Sequence, residues 1–211
     1  MDAIITLKNV TKKFKDHIAL NEVSVSFEAG KIHGIVGRNG SGKTVMMKCI
    51  CGLMHPDSGE VIVNGKSVGR KVDIPGDIGA IIEAPGFLPN YSGYRNLKFL
   101  ADINRKIGKQ EIVSAMLTVG LDPESKKHVG KYSLGMRQRL GLAQSIMEDP
   151  AILVLDEPMN GLDKKGVEEM RALLLSFRDK GKTILIASHS GEDIDILCDT
   201  VREMEAGVLS N

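Results

Sequence analysis

The sequence predicts an α/β fold, with a core sheet, antiparallel strands on its N-terminal side and a mostly helical insert over residues 85–150. Three observations predict it. An apolar run, Ile32 to Val36, opens into Gly37-Arg38-Asn39-Gly40-Ser41-Gly42-Lys43-Thr44 and then a helical stretch, Thr44 to Cys51. A second apolar run, Ala151 to Leu155, stops at the adjacent acids Asp156 and Glu157. Between the two, β texture gives way to helical periodicity and then returns.

In chain order, Ala3 to Val10 and Val23 to Phe27 read as strands flanking a loop, and Ile32 to Val36 as a short buried strand. Gly59 to Val63 and Lys66 to Val68 read as a hairpin, because Asn64-Gly65 suits its tight turn. Ile78 to Ile82 is the next strand. Around Ala84 the texture changes, and proline, glycine and aromatic residues mark a loop from Pro85 to Gly93. Helical patterns follow over Tyr94 to Asp102, Lys109 to Val119 and Leu134 to Glu148. Ile152 to Leu155 restores the sheet, Val167, Met170, Leu174 and Phe177 share one face of a helix over Lys164 to Arg178, and Thr183 to Ala187 is a further strand.

A chain of 211 residues suits one domain with a modest subdomain, and residues 1–211 are expected to form it. Net charge is +1 with acids and bases interspersed, so no basic stripe argues for nucleic acid, and no direct nucleic-acid partner is expected. Cys49, Cys51 and Cys198 are too few and too unevenly placed for a disulfide framework, and a reducing cytosol is the expected setting. After Asp2 the N-terminus turns directly to a strand pattern, with no basic region followed by an apolar run. No run approaches the roughly 20 apolar residues of a membrane span, so any membrane role is expected to come through a partner.

The glycine-rich stretch fits G-x-x-x-x-G-K-[ST], in the strand–loop–helix setting that a phosphate-binding loop needs. Gly37, Asn39, Gly40, Ser41 and Gly42 would bring backbone N–H groups to phosphates, and the following helix aims its N-terminus at the same anion. Lys43 is expected to reach the β- and γ-phosphates, and Thr44 to coordinate Mg²⁺. The second apolar run places Asp156 at the sheet edge, where open α/β folds bind ligands, as a further Mg²⁺ ligand. Glu157, beside it, is suited to orient or deprotonate an attacking water. Simple metal binding does not require that second acid, and a kinase has no use for it there.

Tyr132-Ser133-Leu134-Gly135-Met136-Arg137-Gln138-Arg139 stands just upstream of the acidic strand. This order resembles the ATP-binding-cassette (ABC) family, whose signature usually reads Leu-Ser-Gly-Gly-Gln. Ser133 and Gly135 match, Leu134 and Met136 depart, and Gln138-Arg139 continues the likeness. The resemblance covers essentially the whole chain and implies a P-loop ATPase of ABC type that hydrolyses MgATP. It implies that Ser133 and Gly135 close over ATP held by a second copy or a homologous cassette; taken alone, Ser133 reads as a helix cap. Pro158-Met159-Asn160-Gly161-Leu162-Asp163 resembles the family's interface loop, with Asp163 both a cross-subunit contact and a helix cap. His189 resembles the histidine that senses the γ-phosphate, with a catalytic role beside Glu157 and Lys43. Phe14 stands where the family often has an aromatic under adenine, and it has a second reading in the packing of the early strands.

The family usually has glutamine where Ile78-Gly79-Ala80-Ile81-Ile82-Glu83 places Glu83. The resemblance makes Glu83 a sensor of Mg²⁺ and water; the plainer reading is an exposed loop acid. Together with Tyr132 to Arg139, this variant resembles the cassettes of bacitracin-resistance and lantibiotic self-protection exporters. A peptide antibiotic or another membrane-active compound is the implied cargo. An integral membrane permease is the implied partner, which would make the protein cytoplasmic and peripheral on the inner face of the membrane. Phe87, Leu88, Tyr91 and Tyr94 are read as its dock or as core of the helical subdomain. The competing class is a non-transport ABC ATPase acting as a mechanical clamp, expected to carry a long coiled-coil insertion, a second cassette or a basic groove. The short length and the end soon after Gly207-Val208 are read as lacking a second cassette and an appended regulatory domain.

Overall fold

The computed structural model describes residues 3–69, 71–83 and 86–210. The expected change of texture at Ala84 and Pro85, and Asp2, lie outside the described residues. Six strands form the central sheet in the order β10 (Val208–Ser210), β9 (Thr200–Glu205), β3 (Ile32–Val36), β8 (Thr183–Ala187), β7 (Ile152–Asp156) and β6 (Ile78–Ile81). All neighbours in it are parallel except β10 on β9. A separate antiparallel sheet runs β2 (His17–Glu28), β1 (Ala3–Phe14), β4 (Ser58–Val63), β5 (Lys66–Ser67).

Strands β7 and β8 are buried along their whole length, and their side chains alternate between two cores. Leu153, Leu155, Ile184 and Ile186 face one core with the helices α2 (Gly93–Asn104), α3 (Lys109–Thr118), α4 (Leu134–Ile146), α5 (Lys164–Asp179) and α6 (Gly191–Leu197). Ile152, Val154, Leu185 and Ala187 face the other, with the antiparallel sheet and α1 (Lys43–Ile50). A strand covered on both faces reads as a continuous apolar run, which is why these two were visible in the sequence. Each such fully buried aliphatic side chain contributes about 1.5–3 kcal/mol. That burial fixes the C-terminal ends of β3, β7 and β8, where the conspicuous polar residues follow.

One expectation needs correction. Val10 and Val23 do not flank a loop: both strands run on to a tight turn at Lys15-Asp16, with Phe14 opposite His17. The charged tip looks like loop because little covers it, and register shifts interrupt its alternation. The chain also continues past β8 into α6, β9 and β10, which the sequence pattern did not signal. Their burial is broken by exposed charged positions, as suits a sheet edge. The insert helices α2, α3 and α4 have 12, 10 and 13 residues, too short for the coiled-coil arm that the clamp alternative needs.

Candidate functional site

Gly37 to Gly42 leaves β3 and turns into α1 through a space too narrow for side chains at two points. A Cβ on Gly37, at φ +150°, would lie 2.2 Å from the Met204 carbonyl oxygen, and one on Gly42, at φ +116°, 2.4 Å from that of Ala19. Gly42 is the N-cap of α1 and supplies no side-chain cap. The helix makes its first backbone bond from Met46 to Gly42, so the N–H groups of Lys43, Thr44 and Val45 lack intrahelical acceptors. Gly207, in the β9–β10 turn, donates its N–H to the Ser41 carbonyl at 2.9 Å and braces the loop from below.

Side chains converge on the same place. Lys43 Nζ donates to the Gly37 and Arg38 carbonyls at 2.7 and 3.1 Å. Thr44 Oγ1 donates to Asp156 Oδ2 at 2.6 Å. Ser41 Oγ is buried without a hydrogen-bond partner, an arrangement that suits a ligand bringing its own polar atoms. Burial pushes the Asp156 carboxyl above its usual value, and the charge of Glu157 adds to this, although the Thr44 bond and Lys43 pull the other way.

The register explains how distant segments meet. Ile81 on β6 lies opposite Leu155 on β7, and Asp156 lies opposite Ala187 on β8. Glu83, Glu157 and His189 therefore all stand just past the ends of neighbouring parallel strands. Glu83 and Glu157 both take left-handed backbone, at φ +59° and +50°. Such conformations are uncommon outside glycine and gather at functional sites. His189 Nδ1 is 2.8 Å from Glu157 Oε2, and Lys48 Nζ is 2.7 Å from Glu83 Oε1.

A cavity of about 610 Å³ opens between the phosphate loop, from Asn39 to Val45, on one side and Glu83, Asp156 and Glu157 at the strand ends; Gly37, Lys48 and His189 stand outside its lining. Phe14, 44% exposed, stands at this cavity with Lys12 Nζ 5.7 Å from its ring centre, and is not packed into the early strands. Leu134, Arg137, Gln138 and Asn160 form a further wall. Gln138 Nε2 donates to the Glu157 carbonyl at 3.2 Å. Sequence reasoning did not assign a role to His17, Lys48, Met204 or Gly207; only the fold brings them here.

Ser133 and Gly135 are not among the residues lining this cavity. Ser133 Oγ caps α4 by accepting from Met136 N at 3.1 Å. Gly135 packs on the Asp163 loop, where a Cβ would meet the Gly161 carbonyl at 3.0 Å. Asp163 caps α5 through Gly166 N at 2.9 Å. Within the insert, Phe87 and Tyr94 pack against the core, while Leu88 and Tyr91 remain exposed at 49% and 36%.

The ABC transporter family model matches residues 20–160, from β2 through the acidic strand to Asn160. The chain belongs to the ABC transporter family. It is a nucleotide-binding cassette with ATP-hydrolysing activity, related to bacitracin and lantibiotic transport ATPases. It is 41% identical over 206 residues to the uncharacterized ABC transporter ATP-binding protein YybJ of Bacillus subtilis, covering 98% of this chain and 94% of YybJ. It is 39% identical over 211 residues to the bacitracin transport ATP-binding protein BcrA of Enterococcus faecalis, covering 99% of this chain and 68% of BcrA. Among solved structures, cbiO1 of Clostridium perfringens, part of the transporter complex cbiONQ, aligns with a TM-score of 0.85. Identity there is 27%, over 100% of this chain and 88% of that one. The ABC fold is thus shown, with its antiparallel sheet beside the core and its helical subdomain. Among the described residues of the cassette, no helix is long and apolar enough to cross a membrane.

The oxygen donors Thr44, Asp156 and Glu83 fit a hard divalent ion such as Mg²⁺, which favours one or two carboxylates completed by substrate phosphates. Among the described residues no group of three or more His, Cys, Asp or Glu gathers into a metal site.

Proposed function

We propose that residues 1–211 form a single cassette that pairs with a second cassette around two MgATP and drives export through an integral membrane permease. One observation carries this reading: the 2.6 Å contact of Thr44 with Asp156 joins the phosphate loop to a strand end that also presents Glu157. Gly37, Asn39, Gly40, Ser41 and Gly42 cradle the phosphates, and Lys43 exchanges its two backbone carbonyls for β- and γ-phosphate oxygens. Phe14 stacks on the adenine. Thr44, Asp156 and Glu83 would hold magnesium, which would offset the charge of the phosphates. Glu157 accepts a proton from the water that attacks the γ-phosphorus, and His189 orients that carboxylate through their 2.8 Å contact.

Because Ser133 and Gly135 do not line their own chain's cavity, they are free to serve a neighbour's. The Ser133 hydroxyl accepts from Met136 and still has a proton to donate to a phosphate oxygen, so cap and ligand roles are compatible. Asp163 supports the same interface. Exposed Leu88 and Tyr91 on the helical subdomain support an apolar contact with the permease, and with it a position of the cassette at the cytoplasmic face of the membrane. The name of BcrA supports a peptide antibiotic, lantibiotic or similar membrane-active compound as cargo.

Glu157→Gln keeps the shape and removes the base. ATP turnover should fall about 10²–10⁴-fold, while an ATP-bound dimer accumulates on size exclusion. Hydrolysis by Glu157→Gln at the unsubstituted rate would remove Glu157 from this role.

A further inference from the structure

The cavity that would take the most highly charged end of ATP is lined by three carboxylates, Glu83, Asp156 and Glu157. Each has a different partner. Asp156 receives the Thr44 hydroxyl, Glu157 meets His189, and Glu83 meets the ammonium of Lys48. Only the last pairing joins an acid to a side chain that carries a full positive charge at all ordinary pH values. Lys48 follows Thr44 by four positions, so the two stand on one face of α1, a turn apart. That face therefore makes two successive contacts with the ends of the adjacent strands β7 and β6.

The pair sits at the open side of the site: the Lys48 side chain is 24% exposed and that of Glu83 63%, and Glu83 leaves β6 on left-handed backbone. An unpaired Glu83 would add a full negative charge at the strand ends beside Asp156, whose carboxyl already feels it. Where the family pattern has a neutral glutamine, this chain adds a charge that the two charges of one Mg²⁺, shared with Asp156 and the phosphates, would not offset.

We propose that Lys48 is a positioning residue of the nucleotide site, which holds the Glu83 carboxylate against α1 and neutralises it so that a glutamate is tolerated beside the phosphates. The proposal rests on the reading of this cavity as the ATP site. It predicts coupling: Lys48 matters because Glu83 is charged, and matters little once it is not. It also predicts a dependence on ligand charge, since ATP carries one phosphate more than ADP toward these acids.

The test is equilibrium binding of ATP and ADP, with magnesium, to the full chain and to Lys48→Met, Glu83→Gln and the double variant. Lys48→Met should weaken ATP about fivefold and ADP less, the size expected of one charge acting across a partly screened site. In the Glu83→Gln background the same change should cost less than about twofold, and Lys48→Arg should restore affinity with Glu83 present. A loss of equal size in both backgrounds, or no loss, overturns the proposal. If Lys48→Met does not fold, Lys48→Gln in both backgrounds decides by the same comparison. Lys43→Ala separates the two levels of the argument. If that variant binds ATP normally, the ATP-site reading itself fails; if it does not and the coupling is absent, only the role of Lys48 fails.

Discussion

The N-termini of α1 and α4 are built from the same backbone but finished differently. Ser133 covers the start of α4 with its own hydroxyl, and α2, α5 and α6 are likewise capped by Ser92, Asp163 and Ser190. In α3, Glu111 reaches back to the Gly108 N–H. Among the described α-helices, α1 and α3 both start at a glycine that supplies no side-chain cap, and α1 also lacks a reach-back like that of Glu111. Orphan N–H groups at a helix start lower stability unless something satisfies them, and an anion does so well. A side-chain cap typically contributes about 1 kcal/mol. The chain forgoes that at α1 and provides instead a buried lysine, a threonine tied to Asp156 and an unpartnered Ser41 hydroxyl. At α4 the helix is self-sufficient, and what it offers outward is one hydroxyl proton and a glycine. In the proposed function, the first terminus binds alone and the second completes something already bound.

Lys43→Ala strikes that contrast hardest. It should lower ATP affinity and turnover at least about 100-fold, as losing one charged donor from a preorganised site does, measured by equilibrium binding and phosphate release. Retained affinity would mean that α1 is not the primary anchor. Asp156→Asn separates binding from stability. Burial raises this carboxyl above its ordinary 3.8, so the folded chain holds the proton more tightly than the unfolded one. Its contribution to stability is therefore full below that value and is lost as pH rises through the folded value. At pH 7 the neutral amide should raise Tm by about 2–4 °C while abolishing turnover, and the gain should vanish in acid. A lower Tm at pH 7 would show that the Thr44 hydrogen bond outweighs burial. Leu88→Ala on the helical subdomain should be the mildest change, altering stability by less than about 0.5 kcal/mol while weakening copurification with the permease.

How much was legible follows the same division. Strands β3 and β8 were placed to the residue, because burial on both faces leaves unbroken apolar runs with turn residues at each end. The Asn64-Gly65 hairpin was equally plain, since that dipeptide fits one turn geometry. The phosphate loop and the Asp156-Glu157 pair were legible as local chemistry. The partners of those groups were not. His189 meets Glu157, and Lys48 meets Glu83, only because four strands are in a particular register, which no local pattern encodes. The brace from Gly207 to Ser41 depends on β9 and β10, whose exposed, charged edge hid them. Phe14 was ambiguous for a related reason: its strand runs into a solvated hairpin tip, where alternation fades.

The most direct test of the division between the two helix starts combines Glu157→Gln with Ser133→Arg in one chain. ATP binding and sedimentation are measured on the same sample with magnesium present. The account predicts that this chain binds ATP as tightly per copy as Lys43 and α1 allow, yet sediments as a monomer, while Glu157→Gln alone sediments as a dimer. A double variant that still dimerises with ATP, or one that no longer binds ATP at all, would contradict it.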